Sequence, residues 1–104
     1  MHIDFNDKRV IVTGASRGIG KAIAEAFAQE GAKVAICARN LDTLKAAAND
    51  FCVPTKNMLV RAVDVTDSVS VKKFVHEVTE LWGGVDILIN NAGQGQGGNL
   101  DTLT

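Results

Sequence analysis

The chain has 104 residues, of which 46% are apolar and 22% charged, with a formal net charge of −1. That is the composition of one globular domain. It lacks the clustered positive excess that a nucleic-acid surface or a polybasic membrane patch requires. Arg9–Thr13 is a short β-branched run and predicts a buried strand. A glycine-rich turn follows at Thr13-Gly14-Ala15-Ser16-Arg17-Gly18-Ile19-Gly20 and opens a helix. Ile19, Ala22, Ile23, Ala26 and Phe27 recur at helical spacing, and Gly31 supplies the stop. Lys33–Ala38 is a second apolar strand. Leu41, Leu44, Ala48 and Phe51 mark a second helix, with Asn40 as its N-cap and Pro54 closing the segment. Residues 58–63 form a third strand, ending at Asp64. Thr66 or Asp67 caps a third helix, whose stripe is Val71, Phe74, Val75, Val78, Leu81 and Trp82. Gly83-Gly84 breaks it, and residues 85–90 form a fourth strand. From Gly93 onward the chain is rich in glycine.

Strand and helix alternate as β-α-β-α-β-α-β. The strands are continuous apolar runs, which predicts parallel strands covered on both faces. Right-handed crossovers then favour strand order 3-2-1-4. The expected fold is α/β, an incomplete Rossmann-type doubly wound parallel sheet. The first two helices lie on one face and the third on the other. One helix cannot cover four strands, so the first and fourth strands are expected to show an apolar patch on the third helix's face. The fourth strand is expected to be an open edge.

Cys37 and Cys52 form no CxxC pair and have no neighbouring histidine. Neither a disulfide framework nor a metal site is expected. The first nine residues have no apolar stretch of the signal-peptide kind, and no apolar run approaches the ~20 residues of a membrane span. A cytoplasmic location is the expectation.

The turn at Gly14, Gly18 and Gly20 sits between a strand and a helix in a βαβ unit, where backbone N–H groups cradle phosphate. A mononucleotide P-loop does not fit. Its first glycine falls on Ala15, and Ala22, after Lys21, has no hydroxyl for Mg²⁺. The second strand ends in Ala38-Arg39 rather than in an acid. An acid there would accept from a ribose 2′-hydroxyl, whereas an arginine binds a 2′-phosphate. With Arg17 adding charge in the loop, NADP(H) is expected over NAD(H). The alternative for Arg39 is a solvated loop residue. Asp64 closes the third strand, where a carboxylate accepts from an adenine amino group and the Val65 N–H meets a ring nitrogen. Its alternative is a carboxylate near a helix N-terminus. Asn90-Asn91-Ala92-Gly93 follows the fourth strand. All four clusters fall at strand carboxyl ends, the ligand-binding rim of an open α/β sheet.

Thr13-Gly14-Ala15-Ser16-Arg17-Gly18-Ile19-Gly20, paired with Asn90-Asn91-Ala92-Gly93 and Asp64-Val65, resembles the cofactor motifs of the short-chain dehydrogenase/reductase family. The resemblance covers essentially the whole chain. It implies that Ser16, Arg17 and Ile19 line the phosphates and the adenosine end. It implies that Asn91, Ala92 and Gly93 pack under the adenosine ribose and stabilise the central strands. Arg39 matches the position seen in NADP-preferring members. The family's catalytic serine, tyrosine and following lysine lie after a fifth strand, past residue 104. This chain contains no tyrosine, and no catalytic residue is assigned within it.

The expectation is therefore the cofactor-binding, N-terminal part of an NADP(H)-dependent oxidoreductase acting on a carbonyl or alcohol substrate. By the same resemblance the parent is a homo-oligomer. The 104 residues alone are expected to lack turnover. A non-catalytic dinucleotide-binding or regulatory module is the alternative. A reading frame continuing into a Tyr-x-x-x-Lys segment would separate the two.

Overall fold

The computed structural model describes residues 6–16, 18–51 and 53–91. Four strands, β1 (Arg9–Thr13), β2 (Lys33–Ala38), β3 (Met58–Ala62) and β4 (Ile87–Asn90), alternate with three helices. These are α1 (Gly18–Gln29), α2 (Leu41–Asn49) and α3 (Ser68–Trp82), and a short 3-10 turn at Thr55–Asn57 precedes β3. The sheet order is β3-β2-β1-β4 and every pairing is parallel. The expected doubly wound α/β topology is thus the observed one.

Alternation along the central strands divides the core. Val10, Val12, Val34 and Ile36 pack with Ala24, Ala28, Leu44 and Phe51 on the α1/α2 side. Ile11, Ala35, Cys37 and Leu59 pack with Phe74 and Val78 of α3 on the other. Both faces of β1 and β2 are buried, which is why their sequences read as unbroken apolar runs.

Three sequence expectations are corrected. In α1 the buried positions are Gly20, Ala24 and Ala28, while Ala22 and Ala26 are exposed and Ile19 is 53% exposed. The helix approaches the sheet along a line of small residues at four-residue steps. Ile23 and Phe27 flank that line, partly buried. Leu41 and Leu81 are likewise exposed rather than core. Third, Ile11 is buried under α3, so β1 shows no apolar patch on that face. The partly buried side chains there are Leu88 of β4, Val85 before it, and Val71, Val75 and Trp82 of α3.

The caps follow the sequence. Asn40 accepts from the Thr43 N–H at 3.1 Å, and Asp67, not Thr66, caps α3 by accepting from the Val69 N–H at 3.1 Å. Each bond satisfies a first-turn donor with no partner inside the helix. Gly83 ends α3, its N–H donating to the Thr79 carbonyl at 2.7 Å.

At the amino ends of the strands, Arg9 and Asp86 hold one another through backbone and side chain. The Asp86 N–H donates to the Arg9 carbonyl at 2.8 Å. The Asp86 carboxylate accepts from Arg9 N–H (2.9 Å), Nε (2.9 Å) and Nη2 (3.0 Å). Arg9 Nη1 also reaches the Trp82 carbonyl at 3.4 Å. These bonds, the Arg9 side chain first, hold the Asp86 carboxyl well below the usual carboxylate range. The start of β1, the end of α3 and the approach to β4 are joined here. β4 begins at Ile87, two residues later than the Val85 start expected from the sequence.

Candidate functional site

All four strands are parallel, so Thr13, Ala38, Ala62 and Asn90 end on one rim. The first two helices and the third lie on opposite faces, so the β1/β4 boundary is the switch point outside which open α/β sheets bind ligands.

The centre of this rim is tied by Thr13 and Asn91. The Thr13 hydroxyl donates to Asn90 Oδ1 at 3.0 Å and accepts from the Asn91 N–H at 2.8 Å. Asn91 Nδ2 donates to the Gly14 carbonyl at 3.2 Å. The Ala15 N–H donates to the Cys37 carbonyl at 3.3 Å. The first loop is therefore bonded to the ends of both neighbouring strands, which fixes its backbone where a ligand would meet it.

The loop's glycines have different tasks. A Cβ on Gly20 would stand 2.5 Å from Asn91 Nδ2 and closer still to the Gly14 carbonyl oxygen, so no side chain fits between α1 and the rim. Gly18 has φ +64°, and a Cβ there would meet nothing within 4 Å. Its outer side is open, and only its backbone conformation asks for glycine. The first turn of α1 begins at Gly18 and contains no acidic residue. Its N–H groups have no partners inside the helix, and the helix dipole adds positive potential. Ser16 is partly buried beside this turn, and Ile19 is exposed on it.

The second part of the rim lies past β2 and β3. The Val63 N–H donates to the Ala38 carbonyl at 3.0 Å, so Arg39 and Asp64 leave the sheet side by side. Arg39 is exposed. Among the described residues, no hydrogen bond or ion pair holds its side chain. Asp64 Oδ1 accepts from Thr66 Oγ1 at 2.6 Å and from the Thr66 N–H at 3.0 Å. These two bonds, and then the charge of Arg39, hold the Asp64 carboxyl below its ordinary range.

Val65 is partly buried and lines a cleft on the α3 side, of about 130 Å³, with Thr13, Cys37, Val63, Val71 and Asn90. The cleft is mainly apolar, and Thr13, Val65 and Asn90 place it against the rim. Burial pushes the Cys37 thiol up to about 12, so it is a neutral wall residue rather than a nucleophile.

Gly14, Gly18, Gly20 and Asn91 are thus brought together at the crevice, and Arg39, Asp64 and Val65 stand along the same rim. Arg17, Ala92 and Gly93 lie outside the described residues. Sequence reasoning missed Thr13 as the hub, because its partners are 77 and 78 positions away. It also missed the Cys37–Val71 cleft. A hydroxyl at a strand end beside the first glycine was the available signal for Thr13. Among the described residues, no group of three or more His, Cys, Asp or Glu could hold a metal, and no helix is long and apolar enough to cross a membrane.

Comparison with known proteins matches residues 8–104 to the short chain dehydrogenase family. Sorbitol dehydrogenase of Cereibacter sphaeroides is 45% identical over 88 residues, covering 85% of this chain and 33% of that protein. The 15-hydroxyprostaglandin dehydrogenase [NAD(+)] of Rattus norvegicus is 42% identical over 96 residues, 89% of this chain and 35% of that one. Among solved structures, F189W actinorhodin polyketide ketoreductase with NADPH superposes with a TM-score of 0.77 at 34% identity, covering 85% of this chain and 34% of that chain. The chain spans about a third of the length of the curated relatives it matches.

Proposed function

Because this chain belongs to the short-chain dehydrogenase/reductase family of oxidoreductases, we propose that its glycine-loop rim binds a nicotinamide dinucleotide, NADP(H) in preference to NAD(H). The residues present fit that group. The open side of Gly18, the acid-free first turn of α1 and the loop bonded down by Asn91 leave backbone N–H groups facing a space that suits a pyrophosphate. Gly14, Ser16, Arg17, Gly18, Ile19 and Gly20 are assigned to the phosphates and the adenosine end. Asp64 and the Val65 N–H are assigned to the adenine edge. Asn91, Ala92 and Gly93 are assigned to the floor beneath the adenosine ribose. When bound, such a cofactor supplies or accepts a hydride at C4 of its nicotinamide ring.

The preference for NADP(H) rests on one observation. At the end of β2, where a 2′-hydroxyl reader would need an acid, stands the exposed Arg39, held by no hydrogen bond or ion pair among the described residues. A guanidinium there suits a 2′-phosphate. The relatives do not decide the matter, since one carries NAD(+) in its name and another holds NADPH. Calorimetric titration of the chain with NADP⁺ and NAD⁺ tests the reading. Tighter NADP⁺ binding is expected, and tighter NAD⁺ binding overturns it.

The 104 residues are further proposed to be the cofactor-binding portion of a longer oxidoreductase of small carbonyl or alcohol substrates. The support is the third of the relatives' length that they span, together with the absence of any tyrosine to give or take the substrate proton. The same absence favours the second reading, a module that binds dinucleotide without catalysis. Both readings expect binding without turnover from this chain, and steady hydride transfer by the purified 104 residues contradicts both. A reading frame running on into a Tyr-x-x-x-Lys segment supports the first and excludes the second.

A further inference from the structure

We propose that Asp64 is a specificity-determining residue: its carboxylate, pinned by Thr66, is the counter-charge that limits how strongly Arg39 favours a 2′-phosphate. This rests on the reading of Arg39 given above. The β2–β3 ladder pairs Ala38 with Ala62, and its last bond runs from the Val63 N–H to the Ala38 carbonyl. The first side chains free of the ladder are then a cation on one strand and an anion on the next. Both bonds from Thr66 land on Oδ1. They keep the carboxylate ionised and restrict its rotation, so its charge stays fixed at the rim.

A fixed carboxylate beside Arg39 acts on a 2′-phosphate in two ways. It attracts the guanidinium in the unliganded protein, and it repels the phosphate in the complex. Neither effect touches a 2′-hydroxyl. Any contact between Asp64 and adenine is common to both dinucleotides and cancels in the ratio of their affinities. That ratio therefore isolates the counter-charge. Asp64→Asn is the appropriate change, because the amide keeps an Oδ1 acceptor for Thr66 and removes only the charge.

The experiment measures the dissociation constants of NADP⁺ and NAD⁺ for the wild-type chain, Asp64→Asn, Arg39→Ala and the double variant. Circular dichroism verifies the fold of each. Asp64→Asn is expected to raise the ratio of NADP⁺ to NAD⁺ affinity by about two- to fivefold, the range that exposed charge pairs produce. In the Arg39→Ala background the same change is expected to move the ratio less, and added salt is expected to shrink the wild-type-to-variant gap. A wild-type preference for NADP⁺ that Asp64→Asn leaves unchanged overturns this inference while sparing the reading of Arg39. A uniform weakening of both cofactors, with the ratio constant, overturns it equally, since it leaves Asp64 an adenine contact only. A wild-type preference for NAD⁺ overturns the reading of Arg39 itself. If Asp64→Asn does not fold, the salt dependence of the ratio in Asp64→Ser, which removes the charge and keeps a hydroxyl acceptor, decides. A ratio and salt slope equal to wild type overturn the proposal.

Discussion

Asn91 Nδ2 lies 2.5 Å from where a Cβ on Gly20 would stand, while it donates to the Gly14 carbonyl at 3.2 Å. One amide group thus closes the rim and leaves no room for a side chain at the start of α1. Gly20→Ala must displace Asn91 or the Gly14 carbonyl. The expected cost is about 1–3 kcal/mol, typical of overpacking. Gly18→Ala meets no atom and bears only the strain of a positive φ, roughly 1–2 kcal/mol. Urea unfolding of the two variants checks this, and a Gly20→Ala chain as stable as wild type contradicts it. Cofactor binding should fall in both.

Thr13 serves two partners with one hydroxyl. Thr13→Val keeps the β-branched shape but strips an acceptor from the Asn91 N–H and a donor from Asn90 Oδ1. Unsatisfied groups of this kind cost about 1–3 kcal/mol each when desolvated. Asn91→Ala loses the single bond to Gly14, worth about 1 kcal/mol. Thr13→Val is therefore expected to be the more destabilising. Chemical denaturation of both, giving the reverse order, counts against Thr13 as the hub.

Burial raises the Cys37 thiol to about 12 from an ordinary 9.0, so the fold prefers the protonated form. In the unfolded chain the thiol ionises from about pH 9. Its contribution to stability is whole below that pH and is lost as pH climbs toward 12. Stability measured between pH 8 and pH 11 should decline with a slope that Cys37→Ala reduces. A Cys52→Ser background leaves one thiol. At pH 8 that thiol should react with a disulfide reagent only as fast as the chain opens, and prompt reaction of the folded chain refutes its burial.

Asp86 behaves in the opposite sense. Arg9 holds its carboxyl below the usual range, so the native state favours the ionised form. The stabilisation is full above the unfolded value near 3.8 and is lost as pH falls below it. Thr66 and Arg39 depress Asp64 in the same direction. Melting temperature should drop on acidification from about pH 5 to pH 2, less steeply in Asp86→Asn, with Asp64→Asn removing a further part. A slope unaffected by Asp86→Asn removes the pair from the account of acid stability.

The fold was legible because its signals were local. β-branched runs such as Val10-Ile11-Val12, the caps at Asn40 and Asp67, and the break at Gly83 each depend on neighbours within a few positions. Parallel topology then left few arrangements. The face of α1 was misjudged because hydrophobicity favours Ile19, whereas close approach of the helix to the sheet demands small residues. Gly20 sets the phase, and steps of four give Ala24 and Ala28. The same phase turns Ile19 outward onto the rim. The ties between Thr13 and Asn91, and between Arg9 and Asp86, join residues 77 or 78 apart. Their geometry exists only once the β1–β4 register is set. Arg39 and Asp64 were legible as strand-end residues. Their mutual influence was not, because it depends on the β2–β3 register, Ala38 opposite Ala62, and not only on the two strands being neighbours.

Trp82 is the single tryptophan of the chain, and Arg9 grips its carbonyl at the amino ends of the strands. The full run of β1 separates that point from the glycine loop, roughly 13 Å at the usual strand rise. Trp82 is partly buried against the core on the α3 side, so its emission is an intrinsic gauge of that packing. Emission from Trp82 follows the integrity of the fold where α3 meets the start of β1. Unfolding can therefore be followed by tryptophan emission with no label added.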